Sequence, residues 1–281
     1  MFYITYKNTL KNILRSGTFW LMVCVLLTVA VHGGIAGYYV GDDEPGVRVS
    51  YHDFVEVIAN SGISTLALYA LPLVAIVVTL LVLSRDYGDD LFEIEKASGL
   101  RYLPYVAGRL AAVATVVTVC MLVSHAVCLH LYVLTRGGVP KLTPTKYLCE
   151  SVVRMLRFDF CVILPELLFY LTMTYLLGVF LKKGYATASV SCVLMLSYYY
   201  VSVTYRYRYI SEFMTLFFDY YSPMPGKLRL YFQLFDTENY EFAFQVFDLT
   251  AADAVIGIVF LFGSSLLFSI VSYLRIRRRT V

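Results

Sequence analysis

The chain has 281 residues, of which 59% are hydrophobic, and a mean hydropathy of +0.69. A water-soluble domain of this length does not carry so apolar a composition. The formal net charge of +3 is spread along the chain and gives no basic patch for nucleic acid.

Six apolar segments each approach the ~20 residues that cross a bilayer. They are 19–40, 64–84, 110–134, 160–181, 185–203 and 252–274. The fold class expected is therefore an all-α membrane protein forming a single transmembrane domain of six helices. No Lys or Arg falls inside these bounds, in keeping with the roughly 2.5–3.5 kcal/mol that a cation costs at mid-bilayer. Of the six cysteines, Cys24, Cys120, Cys128, Cys161 and Cys192 lie in spans and Cys149 in a loop. That scatter holds no CxxC pair and no disulfide framework. The start lacks a short apolar core with a cleavage site, so the first span is expected to remain as an anchor.

In chain order, residues 2–15 place Phe2, Tyr6, Leu10 and Ile13 on one side, with Lys7, Lys11 and Asn12 on or near the other. This spacing predicts an amphipathic helix along the membrane face, or else a simple basic anchor. Trp20 sits where an interfacial aromatic belongs. Near the end of the first span, Gly33 and Gly37 form a small-xxx-small pair suited to close helix packing. The loop GDDEPG breaks that helix, and Pro72 is placed to kink the second span.

The segment 85–109 between the second and third spans is the longest charged stretch joining two apolar runs without a Pro/Gly-rich break. It carries five acids (Asp86, Asp89, Asp90, Glu93, Glu95) and four bases (Arg85, Lys96, Arg101, Arg109). Within it, DDLFEIEKA predicts a short helix. Asp89 and Asp90 suit its first turn and Gly99 its stop. Leu91, Phe92 and Ile94 make an apolar edge on which another protein could push.

The third span carries His125, Cys128 and His130. His125 and Cys128 share a face, but no further ligands lie nearby, so packed or hydrogen-bonded roles outweigh metal binding. The fourth span contains Pro165 and Glu166. An acid at that depth faces a cavity, a substrate path or a partner, with Arg154 and Arg157 as candidate partners. The turn Lys182-Lys183-Gly184 makes spans four and five antiparallel neighbours. Residues 198–250 are rich in aromatics, beginning with Tyr198, Tyr199 and Tyr200, and are divided by Pro223 and Pro225. They suit short re-entrant or interfacial helices at the outer face, or a small outer subdomain with a strand or two.

Lys and Arg density sets the expected orientation. Segments 1–18, 85–109, 182–184 and 275–281 hold 13 bases in 53 residues, against 10 in 96 for the opposite set. The denser set is placed in the cytoplasm with both termini, in a plasma membrane. The loop 135–159 is basic against this trend, but the Lys182-Lys183 turn and the RIRRR tail lie tight against their spans.

The order of elements resembles the permease subunit of type-2 ABC transporters, the ABC-2 family, over nearly the whole chain. The residues that carry the likeness are Arg85-Asp86, Gly88, Glu93 to Lys96, Ala97-Ser98-Gly99 and Gly108-Arg109. Two features depart from the family pattern. Pro104 comes later than the usual proline, and Arg109 stands where Lys is common. The resemblance implies that Asp89, Asp90, Leu91, Phe92, Glu93, Ile94, Glu95 and Lys96 form a coupling helix seated on an ATP-binding subunit, braced by the N-terminal helix. It also implies a pair of those subunits carrying ATP and magnesium, a second permease copy or sister permease, and a path gated by the outer aromatic segment. This chain would hold no cofactor itself. It has no GxxxxGK[ST] loop, so any ATPase would be a separate protein.

An amphipathic cargo such as a peptide, lipid or drug suits the Tyr- and Phe-rich segment, as does plain membrane anchoring. Three other classes remain. A scaffold or sensor with the permease fold would need a loop unable to couple. An intramembrane enzyme would want motifs that Gly263-Ser264-Ser265 only approaches. A secondary transporter would favour inverted repeats.

Overall fold

A computed structural model of the chain describes residues 1–36, 66–88, 102–137, 156, 159–204 and 251–278. All of the elements described are helical, and there is no strand among them. The helices are α1 (Phe2–Leu14), α2 (Gly17–Ala36), α3 (Leu71–Gly88), α4 (Tyr102–Gly137), α5 (Leu164–Leu181), α6 (Gly184–Thr204) and α7 (Ala251–Arg278). Five-residue π turns, Leu66–Ala70 and Asp159–Ile163, lead directly into α3 and α5.

Three stretches are long and apolar enough to cross a membrane: Gly17–Ile35, Tyr102–Leu131 and Asp159–Leu181. Leu71–Leu83 and Gly184–Ser197 are shorter apolar helices. The last expected span lies within α7. Helices with no water around them must satisfy their polar groups internally. The hydroxyls of Thr79 and Ser272, both buried, do so by donating to the carbonyl oxygens of Ala75 and Phe268 one turn back.

α3 and α5 form the centre. α3 buries a broad face that includes Leu71, Val74, Ala75, Ile76, Val78 and Leu83, and exposes Leu73 on the opposite side. It packs against α4, α5 and α6. α5 packs against α3, α4, α6 and α7. At Gly178 a Cβ would overlap the Leu83 side chain, so the two central helices touch closely there. Pro72 and Pro165 stand second in α3 and α5, straight after the π turns. A proline ring clashes with the carbonyl four residues back. A preceding turn widened by one residue relieves that clash.

α5 stops at Lys182, whose backbone is left-handed (φ 55°, ψ 12°) and whose N–H donates to the Gly178 carbonyl at 2.9 Å. α6 starts two residues later and packs back on α5, the antiparallel pairing expected of this turn.

Two helices run past the apolar bounds expected for their spans. α3 runs on to Gly88, and α4 begins at Tyr102 rather than at 110. The segment between them shrinks to 89–101. Arg109 thus lies two turns inside a membrane-length helix, where no cation was expected. It is tolerated because its guanidinium stacks on the Tyr105 ring one turn back, 4.0 Å from the centroid.

The N-terminal helix forms as expected and packs chiefly on α4. Its inward side is Thr5, Tyr6, Thr9, Leu10 and Ile13, while Phe2 is exposed. The small residues on this side set the choice, because the helices meet almost backbone to backbone. A Cβ on Gly108 would come within 2.9 Å of the Phe2 carbonyl oxygen.

Candidate functional site

The acidic and basic side chains buried in this apolar bundle, Arg109, His125, Asp159 and Glu166 among the described residues, lie toward the two ends of the α4–α5 pair. At the end distant from the 89–101 segment, His125 of α4 meets Asp159, the first residue of the π turn leading into α5. Nδ1 of His125 lies 2.6 Å from Oδ1 of Asp159, and both side chains are at most 2% exposed. A proton must lie between the two atoms, and a hydrogen bond with an ionised partner is among the stronger kinds. The other ring nitrogen, Nε2, is buried and has no hydrogen-bond partner among the described residues. Cys128, one turn on from His125, is buried as well, whereas His130 is exposed. Among the described residues no three His, Cys, Asp or Glu side chains come together in a way that could hold a metal ion.

At the other end Arg109 stacks on Tyr105 of its own helix, whose ring shares a buried cluster with Tyr175 of α5. Tyr105 and Tyr175 belong to one buried cluster with Val106, Val179, Leu83 of α3 and Ile276 of α7. The two levels, 125 with 159 and 109 with 175, share one antiparallel register. They are 16 residues apart along α4 (125 against 109), about 24 Å at 1.5 Å per residue. That approaches the ~30 Å of a bilayer core. α4 and α5 are thus joined at two levels, by the His125–Asp159 pair at one and by the buried cluster of Tyr105 and Tyr175 at the other.

Glu166 is buried in the first turn of α5, where a carboxylate faces the positive end of the helix dipole. Its candidate partners Arg154 and Arg157 lie outside the described residues. So do the whole coupling stretch Asp89 to Lys96, the aromatic segment beyond Thr204, and Gly37. Tyr198, Tyr199 and Tyr200 lie in α6, but their side chains are outside the description. Gly33 is half-buried in α2. The glycine that admits α4 is its neighbour Gly34, where a Cβ would come within 2.7 Å of Leu131 Cβ and 2.8 Å of the Cys128 carbonyl oxygen.

Asp159 was missed as a site residue because the apolar run was started one residue after it. One signal pointed to it. A carboxylate opening an apolar run needs a partner on the preceding span, and His125 is the histidine that an antiparallel hairpin brings level. Arg109 reads as loop in the sequence for the complementary reason, since a charge is the usual marker of a span's edge.

Compared with known proteins, the chain matches no family model and no curated sequence. The fold and the buried pairs define a helical protein built for the membrane, of the multi-pass kind.

Proposed function

We propose that the chain is the six-span permease subunit of an ATP-driven exporter of the ABC-2 kind, resident in the plasma membrane with both termini in the cytoplasm. A separate pair of ATP-binding subunits, carrying ATP and magnesium, docks on the stretch Asp89 to Lys96. A second permease chain completes the path, and an amphipathic cargo (peptide, lipid or drug) moves outward through it.

The observation that carries this reading is the convergence around the ends of the 89–101 segment. α3 leads into it and α4 leaves it. Leu83, Tyr105, Tyr175 and Ile276 then join α3, α4, α5 and α7 in one cluster at its margin, and α1 seats on Gly108 beside them. A push delivered to the segment reaches five helices within two turns. A rigid junction at that place is what ATP-driven coupling requires.

The test is gentle detergent extraction of the tagged full chain from its host, followed by mass spectrometry of what co-purifies. A stoichiometric ATPase is the expected result, lost in Phe92→Asp and Glu95→Arg while membrane insertion persists. A chain that extracts alone or with a non-ATPase partner overturns the transporter reading and leaves the scaffold.

A further inference from the structure

The face of α1 turned away from α4 has no partner among the described helices, and its chemistry is one-sided. Lys7, Lys11 and Arg15, spaced four apart, form a single exposed stripe. Tyr3, Ile4 and Leu14 flank it, 67%, 62% and 43% exposed. Residues 1–36 contain no Asp or Glu, so nothing on this arm neutralises the stripe.

Nor can α1 roll to hide this face. Its other side is held against α4 by the close approach at Gly108 and by the Tyr6 hydroxyl, which donates to Thr115 Oγ1 at 3.3 Å. The elbow into α2 is tied three ways. Ser16 N–H donates to the Ile13 carbonyl at 3.0 Å, and Trp20 N–H to that of Ser16 at 3.4 Å. The Trp20 indole donates to the Leu14 carbonyl at 2.8 Å.

Beyond the elbow the exposed surface turns largely apolar, through Trp20, Leu21, Cys24 and Val25, with Thr28 and His32 further along. A charged protein partner would match the stripe but would leave this flank uncovered. A phospholipid matches both, with its chains along the membrane-length helix α2 and its headgroup at the elbow. The cations select the headgroup: phosphate oxygens with net negative charge, for Lys and Arg donors held in a fixed row.

We infer that the outward face of α1 and the elbow at Arg15–Trp20 form a binding surface for anionic phospholipid. Lys7, Lys11 and Arg15 meet its headgroup, and Trp20, Leu21 and Val25 meet its chains. The inference does not rest on the transporter reading. It needs only that α2 crosses a membrane.

Trp20 is the single tryptophan of the chain, so its emission reports this surface alone. The full chain is reconstituted in phosphatidylcholine vesicles, and brominated phosphatidylglycerol or brominated phosphatidylcholine is titrated in. The expected result is that the anionic quencher acts at a several-fold lower mole fraction. Lys7→Ser with Lys11→Ser removes most of that preference and leaves only the share of Arg15, since each cation near the surface contributes about fivefold in affinity. Lys7→Arg with Lys11→Arg keeps the preference. Both lysines are exposed, so neither pair of substitutions disturbs the seat of α1. Equal quenching in the unaltered chain overturns the inference. So does a preference that the serine pair leaves undiminished, or an emission that neither lipid quenches, which would mean that protein or water covers the elbow.

Discussion

The two central helices enter the bundle by the same backbone device and fill it with opposite chemistry. α3 follows the π turn Leu66–Ala70 and opens Leu71-Pro72; α5 follows Asp159–Ile163 and opens Leu164-Pro165. The match runs position by position. Leu66 and Asp159 each begin their turn and each is fully buried, whereas Leu73 and Glu166, each just after the proline, are exposed and buried in turn. The widened turn is thus a steric answer to a proline ring and is indifferent to polarity. What differs is the obligation each filling creates. Leu66 needs only apolar neighbours. Asp159 needs His125, because an unpaired carboxylate in an apolar interior is a cost that no packing offsets.

The largest expected effects come from breaking that one obligation. Asp159→Leu or His125→Leu alone leaves the surviving group buried without its partner, at about 3–5 kcal/mol. The double variant turns the entry of α5 into one like that of α3. It should lose far less than the sum, because apolar residues that replace a buried pair are often neutral. Thermal unfolding in detergent reads the cycle. Additive losses would show that the pair is not coupled. In the other direction, Leu66→Asp sets an acid at a fully buried apolar entry. It should cut the folded yield severely.

Much of this architecture is legible in the sequence, and the reasons for the rest are physical. The apolar runs, the Lys182 turn and the amphipathic α1 follow from periodicity and composition, which are local properties. The choice between Gly33 and Gly34 is not local. It depends on how far α2 is rotated as it crosses α4, and one residue is a rotation of about 100°. The inward side of α1 follows the same rule, for Thr5 and Thr9 win over Phe2 only because Gly108 lies opposite. His125, weighed with Cys128 as a metal pair, finds its partner in a residue 34 positions away, which becomes legible only once α4 and α5 are paired in one register.

The next effect tests where the two central helices meet rather than how they begin. Gly178→Ala drives a methyl into the Leu83 side chain, and overpacking of this kind costs about 1–3 kcal/mol. Leu83→Ala alone leaves a cavity at a buried site, at about 2–5 kcal/mol. Together they should be coupled by about 0.5–3 kcal/mol, the new methyl occupying part of the space vacated. Additive melting shifts would separate α3 from α5 at this level.

The far ends of the two helices differ too, and here the expected effect is smallest. α3 runs on to Gly88, whereas α5 halts in the left-handed backbone of Lys182, the one residue other than glycine with positive φ among those described. Left-handed backbone costs an ordinary residue roughly 1–2 kcal/mol, part of which glycine returns through its freer unfolded chain. Comparing Lys182→Gly with Lys182→Ala removes the same side-chain charge twice and so isolates the backbone. The glycine variant should be more stable by about 1 kcal/mol, or about 2–4 °C in the melting midpoint. Equal midpoints would mean that the turn relaxes out of the left-handed region, and the ends of α3 and α5 would then differ in length but not in kind.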